Sequence, residues 1–218
     1  LLGIEENNLP IPTAAEWELK CQKNRTNSLT TLFHMEPSPT ALRFVPNILL
    51  PRYGWVHQKA GAKYPETEKS FRQTISCRSA SDRGFQVQVD YKNQRVQILF
   101  DPNAVSQKHQ IWLSGVKQQE GAGTLNPLPY WGFDNLYHKA GTKLHNCFFV
   151  RADHKIENGI DYFKYTQILM LSNFSQKRFI QAIEDGDILV DFDARTGHNH
   201  GTKFRFRSNR LPELYDDI

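Results

Sequence analysis

The stretch Glu16-Trp17-Glu18-Leu19-Lys20-Cys21 alternates charged and apolar residues one by one. A period of two is typical of a β-strand with one buried face, because successive side chains on a strand point to opposite sides. The tryptophan, leucine and cysteine are predicted to face the core, and the two glutamates and the lysine to face solvent. The rest of the chain can be interpreted as the support of this strand.

Glu18 and Lys20 are the two groups that phosphodiester hydrolysis needs close together. On a strand they lie side by side on one face, with their Cα atoms about 7 Å apart. A carboxylate in this position can hold a divalent cation that activates water and neutralises charge on the phosphate, while the lysine orients or deprotonates the water. The alternative is an ordinary strand with two solvated charges, and Glu-x-Lys alone is too common a pattern to exclude it.

Composition limits the class of protein. With 218 residues, of which 39% are hydrophobic and 23% charged, the chain is expected to form a single domain over residues 1–218. No apolar run approaches the roughly 18 residues of a membrane helix, and the net charge of +4 permits a polyanion as partner. The chain begins with Leu1 rather than methionine, so native N-terminal residues are expected to be missing.

The three cysteines also indicate a cellular location. Cys21, Cys77 and Cys147 are far apart in the sequence and include no Cys-x-x-Cys pair. This pattern argues against a zinc ribbon and against a disulfide framework. The sequence therefore predicts a protein of the reducing cytoplasm.

The order of predicted elements indicates an α/β or α+β fold, with a mixed sheet flanked by helices. A polar turn leads from the first strand into a second at 28–33, and the two are predicted to form a hairpin. Residues 35–64, with prolines, glycines and basic and aromatic side chains, are predicted to form a long loop and a candidate DNA-facing arm. Further strands are predicted at 85–91, 96–100, 147–150, 163–171, 188–190 and 204–206, helices at 101–119, 134–141 and 175–185, and a last turn at 211–215.

A second informative stretch, residues 191–205, is dense in polar groups between two strand-like flanks. Arg205 alternates with Phe204 and Phe206, so it is predicted to project away from the core, where its guanidinium can bond guanine O6 and N7. The histidines could instead bind a metal, but no third ligand lies at a suitable spacing, and a plain polar loop is the further alternative. The candidate DNA-binding residues are Asp191, Asp193, Arg195, His198, His200, Lys203 and Arg205.

The two stretches together resemble the MvaI/BcnI family of type II restriction endonucleases, a branch of the PD-(D/E)xK nucleases related to the MutH nicking enzyme. The order and spacing of the shared motifs match over nearly the whole chain. These motifs are Asn8-Leu9-Pro10, Trp17-Glu18-Leu19-Lys20, Asn27-Ser28-Leu29-Thr30-Thr31-Leu32-Phe33 with Glu36-Pro37, Tyr130-Trp131-Gly132-Phe133-Asp134, and Gly197-His198-Asn199-His200-Gly201-Thr202-Lys203-Phe204-Arg205.

The resemblance implies Mg²⁺-dependent cleavage of double-stranded DNA by a monomer that encloses the duplex between two lobes. The catalytic lobe would include residues 8–37, and the recognition segment would be 188–207. Glu18 would be a metal ligand and Lys20 the lysine beside the attacking water. The second stretch would read bases, and DNA binding would also involve Asn27, Ser28 and Thr30.

One position departs from the family pattern. Five residues before Glu18, where a first acid is expected, the chain has Thr13, and a hydroxyl is a weaker ligand for a hard cation than a carboxylate. Glu16, which shares the face of Glu18, or an acid upstream of Leu1 is the candidate second metal ligand. Two alternatives to a restriction enzyme therefore stay open: a nicking or repair endonuclease of the MutH kind, and a DNA-binding domain that has lost catalysis.

Overall fold

The computed structural model describes residues 16–24, 26, 28–120 and 125–218. Their mixed α+β architecture confirms the predicted fold class. The strands are β1 (Trp17–Lys23), β2 (Leu29–His34), β3 (Trp55–Val56), β4 (Lys69–Ile75), β5 (Arg83–Asp90), β6 (Arg95–Val105), β7 (Tyr130–Gly132), β8 (Asn146–Glu157), β9 (Ile160–Phe174), β10 (Ile188–Arg195), β11 (His198–Asn199), β12 (Lys203–Arg207) and β13 (Tyr215–Asp217). The α-helices are α1 (Leu50–Tyr53), α2 (Gln110–Glu120), α3 (Phe133–Leu144) and α4 (Gln176–Glu184). Within these described residues, no helix is long and apolar enough to cross a membrane.

The strands form three sheets. One contains β1, β8, β9 and β13 in that order, and its β1–β8 pair is parallel. A second has the order β2-β12-β10-β4-β3, with β11 paired to β10. The third has the order β5-β6-β7. The strand with Glu18 therefore lies in the first sheet, and the predicted base-reading segment lies in the second.

The predicted hairpin of the first two strands is wrong. β1 pairs with β8, whereas β2 pairs antiparallel with β12. The reason lies in the apolar residues of β2, because Phe33 stacks on Phe204 of β12 with ring centroids 5.1 Å apart. The polar segment between β1 and β2 is thus a crossing from one sheet to another.

The boundary between β6 and α2 also differs from the prediction, which started a helix at Asp101. The strand continues to Val105 and the α-helix begins at Gln110. Gly84 explains the longer strand: its φ of +77° makes an irregularity in β5, and a Cβ there would lie 2.3 Å from the Asp101 carbonyl oxygen. Ile111, an apolar residue within the predicted helix, is 93% exposed.

Elsewhere the local signals were informative. The Asn158-Gly159 turn joins β8 to β9 with both residues at positive φ. The Ser175 side chain caps α4 by accepting the Arg178 N–H, and Gly186 follows the helix at a φ of +68°. The stretch 35–64 is less loop-like than predicted, because a π-turn at Val45–Leu49 leads into α1.

Aromatic side chains join the sheets in a shared core. Phe71 of β4 packs against Phe85 of β5 and Phe192 of β10, with ring centroids 5.3 Å apart in each pair. Trp131 of β7 packs edge-on against Phe204 of β12 at 5.1 Å. This packing fixes the second sheet against the third, and leaves the opposite face of β10 and β12 for polar residues.

Candidate active site and DNA-facing surface

The buried face of β1 is the opposite of the predicted one. Glu18 is paired with Cys147 and Lys20 with Phe149, and both partners are buried. Paired residues of neighbouring strands share a face, so Glu18 and Lys20 point into the molecule. Glu18 is only 3% exposed, whereas Cys21 is exposed. The alternation was correctly interpreted as a strand, but the charged face is the interior one.

Glu18 lies between two ammonium groups. Lys20 Nζ is 2.6 Å from Oε1, and Lys143 Nζ is 3.1 Å from Oε2. The side chains are 4% exposed for the glutamate, 13% for Lys20 and 16% for Lys143. We call these three residues the active-site corner. Lys143, in the last turn of α3, was not singled out from the sequence, because the predicted helix ended at Gly141.

The ends of several elements converge beside this corner at His34, the last residue of β2. Partial desolvation lowers the pKa of the His34 imidazole below its ordinary value, and the positive charge of Lys203 lowers this pKa further. Glu36 raises the pKa, while Lys139 and Lys20 also lower it. Side chains from β1, β2, β12 and α3 therefore share one electrostatic environment.

Glu36, just after β2, holds the residue that precedes β12. Its Oε1 accepts a 2.8 Å hydrogen bond from the Thr202 N–H, and its Oε2 accepts one of 3.3 Å from the Thr202 hydroxyl. Thr202 is fully buried. Next to it, Gly201 has a φ of +82°, and a Cβ there would lie 3.5 Å from Glu36 Oε1. The start of β12 is thus fixed against the end of β2, and α3, which carries Lys143, packs against both β1 and β2.

The donor set allows one direct carboxylate ligand for a cation. Mg²⁺ is commonly held by one or two carboxylates together with water and substrate phosphates, and the buried Glu18 fits this pattern if one ammonium group moves away from it. Glu16 is exposed on a turn before β1, and the Glu36 carboxylate is occupied by Thr202. Within the described ranges, no group of three or more His, Cys, Asp or Glu side chains could hold a metal ion. Thr13 lies outside those ranges.

The second sheet has a polar face, defined by Arg72, Thr74, Asp191, Asp193, Lys203 and Arg205. Asp191 accepts a 2.7 Å hydrogen bond from the Thr74 hydroxyl. Lys203 Nζ lies 4.0 Å from Asp191 Oδ2 and 3.7 Å from Asp193 Oδ2, and Arg72 Nε lies 3.5 Å from Asp193 Oδ1. The sequence analysis missed Arg72 and Thr74, although they alternate with the apolar residues of β4 as the aspartates do on β10.

Arg205 projects from this polar face, as its alternation with two buried phenylalanines predicts. Its guanidinium is held inside the molecule: Nη2 donates to the Leu29 carbonyl at 3.0 Å, and Nη1 lies 3.5 Å from Asp191 Oδ2. Nε is buried and has no hydrogen-bond partner among the described residues. The side chain is 30% exposed, so a partner can reach it only by competing with these contacts.

The remaining residues of the predicted recognition segment have different environments. Arg195 is paired with the buried Glu68 at 3.1 Å, and its guanidinium lies 4.8 Å from the ring centre of Tyr64. His198 and His200 are exposed beside the turn that joins β10 to β11, which we call the tip. Their Nε2 atoms are 3.1 Å apart.

The predicted DNA-binding residues near β2 lie far from that tip along the sheet. Ser28 is exposed just before β2, and its hydroxyl accepts a 2.8 Å hydrogen bond from Thr26. Thr30 lies opposite Phe206, toward the other end of the β2–β12 ladder from Lys203. Asn27 lies outside the described residues. The structure thus places Ser28 and Thr30 apart from the two histidines.

Comparisons with known proteins agree with this architecture. A sequence model of the MvaI/BcnI restriction endonuclease family matches residues 1–215. The chain is similar to the solved structure of a restriction endonuclease MvaI–cognate DNA substrate complex, with a TM-score of 0.73, 26% identity, and coverage of 97% of this chain and 81% of that one. For MvaI in the absence of DNA, the TM-score is 0.60 and the identity 25%, with coverage of 92% and 77%. No curated protein matches the chain in sequence.

Together, the mixed α+β fold, the buried Glu-x-Lys pair and these matches define the protein class as a restriction-type DNA endonuclease. The chain belongs to the MvaI/BcnI restriction endonuclease family, because the family match spans nearly its entire length. The resemblance inferred from the sequence motifs is confirmed. The protein is accordingly a type II restriction deoxyribonuclease.

Proposed function

We propose that this chain cuts double-stranded DNA at a specific sequence, as a monomer and with Mg²⁺. The observation that carries the proposal is the placement of Glu18 and Lys20 side by side in a buried corner whose third residue, Lys143, lies on a helix that packs against both β1 and β2. A cutting centre and a base-reading surface must keep a fixed distance if cleavage is to occur at a constant position in the site. The packing of α3 supports such a connection, because β2 is paired with β12 of the polar sheet face.

In this proposal Glu18 would hold the metal, and Mg²⁺ would act as a Lewis acid on the phosphate and lower the pKa of bound water. Lys20, at 2.6 Å from the carboxylate, is close enough to orient that water or accept its proton. Lys143 holds the other carboxylate oxygen. An ammonium group released from Glu18 would be close enough to contact the negatively charged phosphate.

The polar sheet face is proposed to read the bases. Its aspartates can accept hydrogen bonds from cytosine amino groups, and Arg205 has two donors that can bond guanine O6 and N7 together. The exposed His198 and His200 extend this set beyond the sheet. MvaI has been solved with its cognate DNA, and by analogy the duplex is proposed to lie against the corner and this face together. Asn27, Ser28 and Thr30 are proposed to position the backbone nearby.

A plasmid assay tests the proposal. Supercoiled plasmid incubated with the protein and Mg²⁺ should give linear product, and run-off sequencing of that product should give one repeated sequence at the ends. Open-circle product alone would support a MutH-like nicking enzyme. DNA retention with no cut by any divalent cation would support a DNA-binding domain without catalysis. Glu18→Gln, which keeps the shape of the side chain, is the matched inactive control.

The impaired-enzyme alternative is favoured by one observation: among the described residues, no group of three or more His, Cys, Asp or Glu side chains could hold a metal ion. Thr13→Asp tests it, because a restored first acid would add an oxygen ligand for Mg²⁺. A strong rise in cleavage at fixed Mg²⁺ concentration would show that the natural chain lacks a ligand. Unchanged or reduced cleavage would show that Glu16 or another acid already fills the role.

A further inference from the structure

We propose that His198 and His200 form a two-nitrogen binding site for a transition-metal dication such as Zn²⁺ or Ni²⁺, separate from the Mg²⁺ site at Glu18. The two imidazoles lie edge to face, with ring centroids 4.2 Å and Nε2 atoms 3.1 Å apart. Both rings are exposed, so a hydrated ion can reach them without displacing any core residue.

The backbone holds both histidines on the same side of the strand. His198 pairs with Arg195 across the β10–β11 turn, and the His200 N–H donates to the Asp193 carbonyl at 3.0 Å. Residues two apart on an extended segment point to one face. Just after them, Asn199 Oδ1 accepts the Gly201 N–H at 3.0 Å and fixes the exit from the strand. The backbone therefore keeps the two imidazoles next to each other before any ion binds.

The nitrogen separation fits metal coordination. Zn–N bonds of about 2.0–2.1 Å place two nitrogens about 3.3–3.4 Å apart at a tetrahedral angle and about 2.9 Å apart at a right angle. The observed 3.1 Å lies between these values. The two Nε2 atoms lie within hydrogen-bond distance of each other, so the rings must turn to direct both lone pairs at one ion. Binding requires a lone pair on both atoms, so each neutral ring would carry its proton on Nδ1.

Ligand chemistry separates this site from the catalytic one. Imidazole nitrogen suits Zn²⁺, Ni²⁺ and Cu²⁺, whereas Mg²⁺ prefers oxygen ligands. Among the residues that the structure describes, no third His, Cys, Asp or Glu completes the set. The other coordination positions would be filled by water, so the ion is expected to exchange readily and a chelator to remove it.

Metal binding would have a consequence for DNA recognition, and this step rests on the proposed function. Two imidazoles that coordinate an ion through Nε2 cannot form hydrogen bonds to base edges with the same atoms. The added positive charge would still attract phosphates. Zn²⁺ bound at the tip should therefore reduce the preference for the cognate site more than it reduces binding to random duplex.

Calorimetric titration of the intact, metal-free protein with ZnCl₂, without DNA or Mg²⁺, tests the site directly. The wild type should bind an equivalent of Zn²⁺ that EDTA removes, and His198→Gln and His200→Gln should each weaken this binding at least about tenfold, since each lacks one donor. His109→Gln, which removes a histidine from another part of the surface, should bind Zn²⁺ like the wild type. Wild-type binding by both tip variants, or no binding by the wild type, would overturn the proposal.

A second measurement separates the metal site from the proposed function. Binding of cognate and random duplex is measured in Ca²⁺ with and without one equivalent of Zn²⁺. The expected result is a fall in cognate preference when Zn²⁺ is added to the wild type. In His198→Gln the preference is already lowered by the loss of a base-reading side chain, and it should not change further with Zn²⁺. Unchanged preference in zinc-loaded wild type would refute the effect on recognition. If the protein fails to cut any plasmid, the DNA-free titration still decides whether the two histidines bind metal.

Discussion

The active-site corner and the polar sheet face are both built from ion pairs, yet they differ in exposure. In the corner, the side chains are 4–16% exposed. On the polar sheet face, Lys203, Arg205 and Arg72 are 20%, 30% and 69% exposed. In a corner with little access to water, charged groups attract a metal ion or a phosphate more strongly. A wetter face suits the exchange of internal contacts for those of base edges.

The largest effect is expected from Glu18→Gln. A metal ion at the reacting phosphate is worth several kcal/mol of transition-state stabilisation, and about 1.4 kcal/mol corresponds to tenfold in rate. Cleavage should therefore fall by about 10³-fold or more, while DNA retention in Ca²⁺ stays measurable. Single-turnover cleavage and filter binding on the same preparation check this. Cutting at the wild-type rate would remove Glu18, and with it the corner, from the chemistry.

Lys20→Met should lower the cleavage rate by about 10²-fold or more, the usual loss for a group that transfers or orients a proton in the transition state. The Mg²⁺ concentration for half-maximal rate should change much less than the rate itself. A rate-versus-Mg²⁺ titration separates the two quantities. If the rate at saturating Mg²⁺ is normal, Lys20 only neutralises Glu18.

The same two regions show how much of the structure could be predicted from the sequence. Period-two alternation correctly predicted β1, β10 and β12, because alternation reports strand geometry directly. It assigned the wrong face of β1 to the core, since periodicity cannot tell a buried Glu-Lys pair from a solvated one. Lys143 was missed because it meets Glu18 only through the packing of α3. No local signal distinguishes such a lysine from a surface charge.

Topology was the second thing that local patterns did not determine. A polar turn between two strands predicted a hairpin, but β1 and β2 joined different sheets. Which strand pairs with which depends on long-range packing, here the stacking of Phe33 on Phe204. The family motifs compensated for this, because their order along the chain indicates a whole fold and not single elements.

On the polar sheet face, Arg205→Lys should cost about 10- to 100-fold in preference for the cognate site, equivalent to roughly 1–3 kcal/mol for a lost bidentate contact. A lysine keeps the charge, so affinity for random duplex and its salt dependence should stay close to wild type. Competition binding with both duplexes measures the ratio. Equal losses on the two duplexes would make Arg205 a backbone contact, and base reading would have to be sought in the 35–64 segment.

Lys143→Met tests the role of the second lysine in the active-site corner. If Lys143 competes with the metal for Glu18, removing its charge should lower the Mg²⁺ concentration for half-maximal cleavage by roughly 3- to 10-fold. Lys117→Met, in α2, is a matched control for the loss of one positive charge. An unchanged or increased Mg²⁺ requirement would show that Lys143 does not compete with the cation and helps to form its site instead.

Arg195→Lys is expected to have the smallest effect, and it tests where the polar sheet face ends. Arg195 belongs to the predicted recognition segment, but its guanidinium contacts the buried Glu68 and lies 4.8 Å from the ring centre of Tyr64. Lysine can keep the ion pair and loses the stacking, which is worth about 0.5–1 kcal/mol. For a chain of this length the melting temperature should therefore fall by roughly 1–4 °C.

Because these contacts hold β10 against the segment before β4, cognate preference should change far less in Arg195→Lys than in Arg205→Lys. Thermal unfolding and the same competition assay measure both quantities. A loss of preference equal to that of Arg205→Lys, with no change in melting temperature, would assign Arg195 to base reading and extend the recognition surface to the end of β10.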